Sequence, residues 1–296
     1  MEFKDEINLL YGLSLKLKSL NTDRNNIYLG IQGTNKYIIK IENLEQKQQI
    51  ENAIKLFSTV QKSENILFSQ YIKTKSNKLY EIIDNKIITI QRKENIKKIK
   101  TLSSKDIIKL GEVVSEFHNV LKLENIDNLI KSDFYKDYMF GDVLLHQSNK
   151  RLKEMDIFYK QYQPNYNLLT KGIIHNDLHI ENIYKVKTEY FFIDFEHMKH
   201  GPLISDLGVL VLDLWNYKKG IDSYFQKLTL LLQGYEKNIR LNEYNKKNIV
   251  IFSLRYLLSD ENWYNYLYNK GNKKALHLKN IVKQQQLILL KYLSQI

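Results

Sequence analysis

Residues 175–196, HNDLHIENIYKVKTEYFFIDFE, contain two short apolar runs, Ile183–Val186 and 190–193, on either side of a polar Lys187-Thr188 turn. Short apolar runs bounded by turn residues read as a β-hairpin. It is the only clear hairpin in a second half whose patterning is otherwise helical, so the fold has to carry one strand pair within a helical region. Asp177, Asn182 and Asp194 sit at the ends of these runs. Loops at such ends hold functional side chains on a rigid scaffold.

The first half reads differently. Residues 27–41, IYLGIQGTNKYIIKI, give strand, turn and strand, with Gly33-Thr34-Asn35 as the turn. From 44 to 60, Ile50, Ala53, Ile54, Phe57 and Val60 recur at helical spacing, and residues 66–94 hold three strand-like runs broken at Ser76-Asn77 and Asp84-Asn85. After Arg92 the polar run KENIKKIKTLSS leads to a helix start at Ser103-Ser104, followed by a buried face of Ile107, Leu110, Val113, Val114, Phe117 and Leu121. The expected organisation is therefore α+β: an antiparallel-sheet domain over residues 1–92 and a larger, mainly helical domain over 93–296. Repeats of roughly 20 to 50 residues are absent.

Composition narrows the chemistry. The chain has 296 residues, 43% of them hydrophobic, enough to bury a core in each domain. No run approaches the roughly 18 apolar residues of a membrane span, and the charged start MEFKDEINLLYGL does not read as a secretory signal, so the cytoplasm is the expected location. With no cysteine, disulfides, thiolate metal sites and cysteine nucleophiles are excluded, and any catalysis has to use oxygen and nitrogen groups. The net charge of +12 comes from scattered lysines. A basic surface of this kind suits an anionic ligand such as a nucleotide, and no nucleic-acid partner is expected; nucleic-acid binding would show steep salt dependence.

Phosphoryl transfer needs a carboxylate to accept a hydroxyl proton, and a second carboxylate with a neutral oxygen ligand to hold magnesium beside the phosphates. The pattern His175-x-Asp177-x-x-x-x-Asn182 followed by Ile193-Asp194-Phe195 resembles the signature of the aminoglycoside phosphotransferase and choline kinase superfamily, small-molecule relatives of the protein kinases. The resemblance implies a protein-kinase-like two-lobe fold, a small β-rich lobe and a larger helical lobe with ATP between them. It implies Asp177 as catalytic base, His175 orienting the loop, and Asn182 and Asp194 as magnesium ligands. Asn176 replaces the arginine of the protein-kinase H-R-D, and neither D-F-G nor A-P-E follows, which favours a small-molecule acceptor over a protein.

By the same resemblance Lys40, ending the strand KYIIK, binds the α and β phosphates and pairs with a helix glutamate, either Glu51 or its rival Glu45. The phosphate-covering stretch SLNTDRNNIYLG lacks G-x-G-x-x-G, and Gln91 and Arg92 fall where the adenine hinge would run. In SDLGVLVLDLW, Asp206 fits the family's acidic helix opening, a structural residue, with Ser205 or Asp206 as cap. LGEVVSEFHNVL and LLLQGYEKNI resemble two helices of the large lobe, with His118 a packing histidine. His179, His197 and His200 lack regular zinc-ligand spacing.

HNDL and IDFE lean toward choline and ethanolamine kinases. Trp215 and Tyr217, with Trp263, Tyr264, Tyr266 and Tyr268, offer a cation–π face for an amine, and Glu196, Asp260 and Glu261 offer negative charge. Aromatic runs in helical regions also serve as core. The expected activity is ATP- and magnesium-dependent transfer of the γ-phosphate to a hydroxyl of a small, amine-bearing molecule such as an amino alcohol. An aminoglycoside, another sugar or homoserine would use the same acids, and a catalytically silent binding module is the alternative of another class.

Overall fold

The computed structural model describes residues 3–20, 26–59, 66–99, 102–122, 129–134, 147–186 and 189–295. The chain divides into two compact units. The first comprises Met1–Ile99, Glu124–Leu129 and Glu181–His197; the second comprises Lys100–Leu123, Ile130–Ile180 and Met198–Ile296.

In the first unit α1 (Phe3–Tyr11) precedes a five-stranded antiparallel sheet built from β1 (Lys16–Ser19), β2 (Ile27–Gln32), β3 (Asn35–Asn43), β5 (Glu81–Ile83) and β6 (Lys86–Arg92), in the order β1-β2-β3-β6-β5. Alternation along these strands sends Ile39, Ile83, Ile88 and Ile90 into one core with Ile7, Tyr11 and Leu15. The Tyr11 hydroxyl donates to the Ile88 carbonyl at 2.8 Å, so its polar end is satisfied inside that core. Asp84 and Asn85 form the two-residue turn between β5 and β6 with φ of 46° and 60°. Both are residue types that tolerate the left-handed region such a hairpin requires. Helix α2 (Lys47–Thr59) packs Ile50 and Ile54 on Ile87.

A second sheet completes this unit from β4 (Ile66–Phe68), β7 (Lys97–Lys98), β9 (Ile183–Val186) and β10 (Glu189–Phe192), in the order β4-β10-β9-β7. Strand β10 pairs in parallel with β4, and β9 pairs with β7. These pairings draw the hairpin into the first unit, so the division differs from a single cut after Arg92. The Lys187-Thr188 turn lies outside the described residues.

The second unit is mainly helical: α3 (Ser104–Lys122), α4 (Asn149–Tyr162), α5 (Ile204–Leu214), α6 (Gly220–Tyr235), α7 (Glu243–Asn269) and α8 (Lys274–Leu293). Ser103 and Asp106 form a reciprocal capping box at the start of α3: the Ser103 N–H donates to the Asp106 carboxylate at 3.0 Å, and the Asp106 N–H to the Ser103 hydroxyl at 3.3 Å. Helices α3 and α6 cross at glycines. A Cβ on Gly234 would lie 1.8 Å from the Ile108 carbonyl oxygen, and one on Gly111 would lie 2.0 Å from that of Leu231. The short strands β8 (Lys171–Ile174) and β11 (Lys199–Pro202) pair antiparallel, bracketing the loop that follows β8. Among the described residues no helix is long and apolar enough to cross a membrane.

Candidate active site

Each unit carries a group of polar side chains from the motif region. In the first, β3 sends Ile39 into the core, and the following residue, Lys40, projects from the opposite face. Lys40 is buried, and its ammonium donates to Asp194 at 2.6 Å and to Glu196. Burial alone would lower the basicity of this amine, but the Glu196 and Asp194 charges outweigh it and hold the amine above the ordinary lysine range. Asp194 adopts φ 63°, a left-handed conformation that an aspartate tolerates. The Ile193 N–H donates to the Asn182 carbonyl at 3.1 Å. Phe195, buried against the Phe68 ring at 5.5 Å, anchors the turn that carries Glu196.

These contacts correct the expected pairing. Lys40 is partnered by Asp194 and Glu196, whereas Glu51 accepts the Tyr80 hydroxyl at 2.5 Å and lies 3.8 Å from Lys47. Glu51 is one helical turn from Lys47, and the two form an exposed i, i+4 pair on α2. Glu196, expected at the acceptor, is instead engaged with Lys40. Gln91 is buried, and its side chain bonds the Tyr71 hydroxyl, whose pKa is raised by burial and then by the Glu196 charge. Residues 21–25 of the expected phosphate-covering stretch lie outside the described residues.

In the second unit Asp206 organises the loop after β8. Fully buried, it accepts the His175 and Asn176 N–H groups, each at 2.8 Å, and bonds His118 Nε2 at 3.0 Å. His118 Nδ1 reaches the Tyr235 hydroxyl at 2.7 Å, so His118 is a satisfied packing residue. Asp206 is structural, but it is not a helix cap: the N-cap of α5 is Leu203, without a side-chain bond, and Ser205 accepts from Arg255 at 3.1 Å. The expectation of a cap at Ser205 or Asp206 fails because α5 already begins at Ile204, which places Asp206 inside the first turn with its carboxylate bonded to the loop. Asn176 has φ 66°, a left-handed position for which asparagine is among the better residues.

The same loop presents Asp177 and His179. Asp177 accepts the Tyr256 hydroxyl at 2.9 Å. His179 Nδ1 bonds both Asp213 oxygens, at 3.1 and 3.0 Å, and its Nε2 bonds the Tyr256 oxygen. A cavity of about 170 Å³ is lined by His179, Asp213, Tyr256 and Asp260 together with Leu278, Ile281 and Val282 of α8. Burial, reinforced by the Asp177 and Asp213 charges, pushes the Asp260 carboxyl up to about 7 against the opposing effect of His179. Among the described residues no cluster of three or more His, Asp or Glu is placed to hold a metal.

The aromatic residues divide between core and pocket. Trp215 is buried, donates to the Gly220 carbonyl at 2.9 Å and packs edge-on against Tyr224 at 5.4 Å. It is core rather than an amine face, because the turn after α5 folds its indole inward. Trp263 stacks on Tyr266 at 5.6 Å, one turn along α7, while Tyr264 lines the cavity. Glu261 is buried and paired with Arg151 at 2.5 Å and Lys283 at 3.4 Å, so its charge is compensated. Asp213 and Tyr256 are the residues that motif reading passes over; the one available signal is Asp213 lying two helical turns after Asp206 on the same helix.

The sheets of the first unit and the helices of the second are those of a protein-kinase-like α+β fold. Residues 91–236, which hold the Asp177, Asn182, Asp194 and Asp206 motifs, match the model of APH, the phosphotransferase enzyme family. Over that span the chain is similar to the phosphotransferase enzyme family. No curated protein matches it. Similar solved structures include an amicoumacin kinase in complex with AMP-PNP, Ca2+ and Ami (TM-score 0.76, 15% identity, 97% of this chain and 92% of that one). A choline kinase from Streptococcus pneumoniae is also similar (0.68, 15%, 98% and 97%). So is a microcompartment-associated aminopropanol kinase (0.69, 14%, 95% and 93%). At these identities the likeness establishes the fold.

Proposed function

We propose that the chain is an ATP- and magnesium-dependent kinase that phosphorylates a hydroxyl of a compact, amine-bearing molecule. The observation that carries the acceptor class is the cavity of the second unit, whose lining combines the carboxyl groups of Asp213 and Asp260 with apolar side chains of α8. A protonated amine is attracted by the first, and its hydrocarbon is covered by the second. At about 170 Å³ the cavity is smaller than the roughly 300–1,000 Å³ of sites for drug-sized ligands, which favours an amino alcohol over a multi-ring aminoglycoside. The names of the aminopropanol and choline kinases of similar fold support the same class.

In this reading Asp177 takes the acceptor's proton as the hydroxyl oxygen bonds the γ-phosphorus and the β–γ bridging bond breaks, releasing ADP. Lys40 binds the nucleotide phosphates, and His175 orients the loop through the backbone bond that Asp206 accepts. Asn182 and Asp194 supply an all-oxygen donor set that fits hard magnesium, and the Asp194 side chain is 42% exposed, open to a cation. When bound, magnesium neutralises charge on the phosphates. Gln91 contributes through the backbone beside the adenine. A panel of amino alcohols, aminoglycosides and sugars, with products identified by mass, tests the acceptor class; phosphorylation confined to neutral sugars sinks it. Asp177→Asn is expected to lower turnover by roughly 10² to 10⁴ with nucleotide affinity nearly unchanged.

A further inference from the structure

We infer that His179 is a positioning residue for the base: bound to Asp213 through one ring nitrogen and to Tyr256 through the other, it sets which way the single Tyr256 proton points, and so whether Asp177 receives a hydrogen bond. The inference rests on the reading of Asp177 as base.

Asp213 fixes the first half of the arrangement. It accepts the Ile180 N–H at 2.7 Å and lies 3.0 Å from His179 Nδ1, so this nitrogen carries a proton. The state of Nε2 then decides the rest. Tyr256 has one proton, and both His179 Nε2 and the Asp177 carboxylate, at 2.9 Å, lie within its reach. With a proton on Nε2, the imidazolium donates to the tyrosine oxygen, and the tyrosine donates to Asp177. With Nε2 bare, the ring becomes an acceptor and competes with Asp177 for the same proton. When the ring wins, the tyrosine oxygen turns a lone pair toward the carboxylate, and the bond becomes a repulsion.

The charged and titratable groups facing His179 are Asp213 from α5, Tyr256 and Asp260 from α7, and Asp177 from its own loop. The α8 wall, Leu278, Ile281, Val282 and Gln285, brings no charge. Burial disfavours the imidazolium, but the Asp213 hydrogen bond and the Asp213, Asp177 and Asp260 charges prevail and raise its pKa to about 9. At neutral pH the chain of donors therefore runs from His179 through Tyr256 to Asp177, and the Tyr256 proton gains a competing acceptor as pH rises through His179's titration.

The test uses the full chain without ligand, labelled with ¹⁵N in histidine and ¹³C in the aspartate carboxyl, and followed by NMR from pH 6 to 10.5. Asp177→Asn assigns the Asp177 carboxyl resonance, and His179→Gln assigns the His179 ring. In the wild type the Asp177 signal should step at the His179 midpoint, near pH 9. Tyr256→Phe removes the relay and leaves only the through-space effect of the ring 3.8 Å away, so the step should fall to less than half while His179 still titrates. A wild-type Asp177 signal without that step overturns the inference, as does a step undiminished in Tyr256→Phe. If Tyr256→Phe fails to fold, Tyr256→Leu takes its place with the same expectation, and an undiminished step there overturns the inference. Full turnover by Asp177→Asn would instead remove the base assignment and leave the measured coupling standing.

Discussion

Asp260 shows how one side chain can make both stability and recognition depend on pH. Its carboxyl is pushed up to about 7, first by burial and then by the neighbouring Asp177 and Asp213 charges, against an unfolded value near 3.8. Between those values the folded chain holds a proton that the unfolded chain has released, so this group's contribution to stability falls as pH rises from about 4 to about 7. Asp260→Asn removes the penalty: its melting temperature should exceed that of the wild type by more at pH 8 than at pH 5, and an equal difference at both would refute the assignment. The acceptor arm has the opposite sign, because ionised Asp260 attracts a cation. The KM for an amine acceptor should fall about tenfold in the wild type between pH 6 and 8, and Asp260→Asn should flatten the change. Asp177, Asn182 and Asp194 stand out in the sequence because their spacing around a hairpin is unusual, and Lys40 only through the resemblance, at the end of the strand KYIIK. Asp213 and Tyr256 are not, because single polar residues on apolar helices look like any other helix positions. Glu51 misleads for a related reason: helical spacing places it on a face, but only the fold shows that Tyr80 and Lys47 occupy it.

At the level of elements, the α3–α6 crossing is a consequence of two glycines. Each backbone passes so close to the other that a methyl group at Gly234 or Gly111 would meet a carbonyl oxygen rather than a side chain able to rotate away. Gly234→Ala is expected to destabilise the chain by about 3 kcal/mol or more, at the upper end of overpacking costs, since the helices themselves must separate. It should also loosen the His118–Tyr235 bond, because Tyr235 follows Gly234 directly. A melting temperature within a degree of the wild type would contradict this. Helix α3 is readable from its apolar period and its Ser103 start, and the β2–β3 and β5–β6 hairpins from their turn residues. The β8–β11 pair escapes sequence reading because KHGP carries no alternation, and its partner lies more than twenty residues upstream. Helix α1 is missed for a different reason: its Ile7 and Tyr11 repeat is one turn long and set among charges.

For the molecule as a whole, the order of strand-like and helical patterns anticipates an α+β chain, but a one-dimensional reading favours a single boundary and the first unit is assembled from separated segments. The physical cause is β-pairing. Strand β4 has β10 as its parallel partner, β7 pairs with β9, and both partners come from a segment more than eighty residues further along. A fragment of residues 1–99 would keep the five-stranded sheet and the core around Ile39 but would leave β4 and β7 unpaired. It would also strip the buried Lys40 ammonium of both carboxylates, and breaking a buried pair from one side costs about 3–5 kcal/mol. A small domain has little more stability than that to lose. The fragment is therefore expected to give a poorly dispersed amide spectrum and no cooperative melt. Joining residues 181–197 to it through a flexible linker should restore both, and Lys40→Met in the bare fragment should recover part of the loss by removing the unpaired charge. A well-dispersed spectrum and a sharp melt from residues 1–99 alone would show that the hairpin is an accessory to this unit rather than part of its structure.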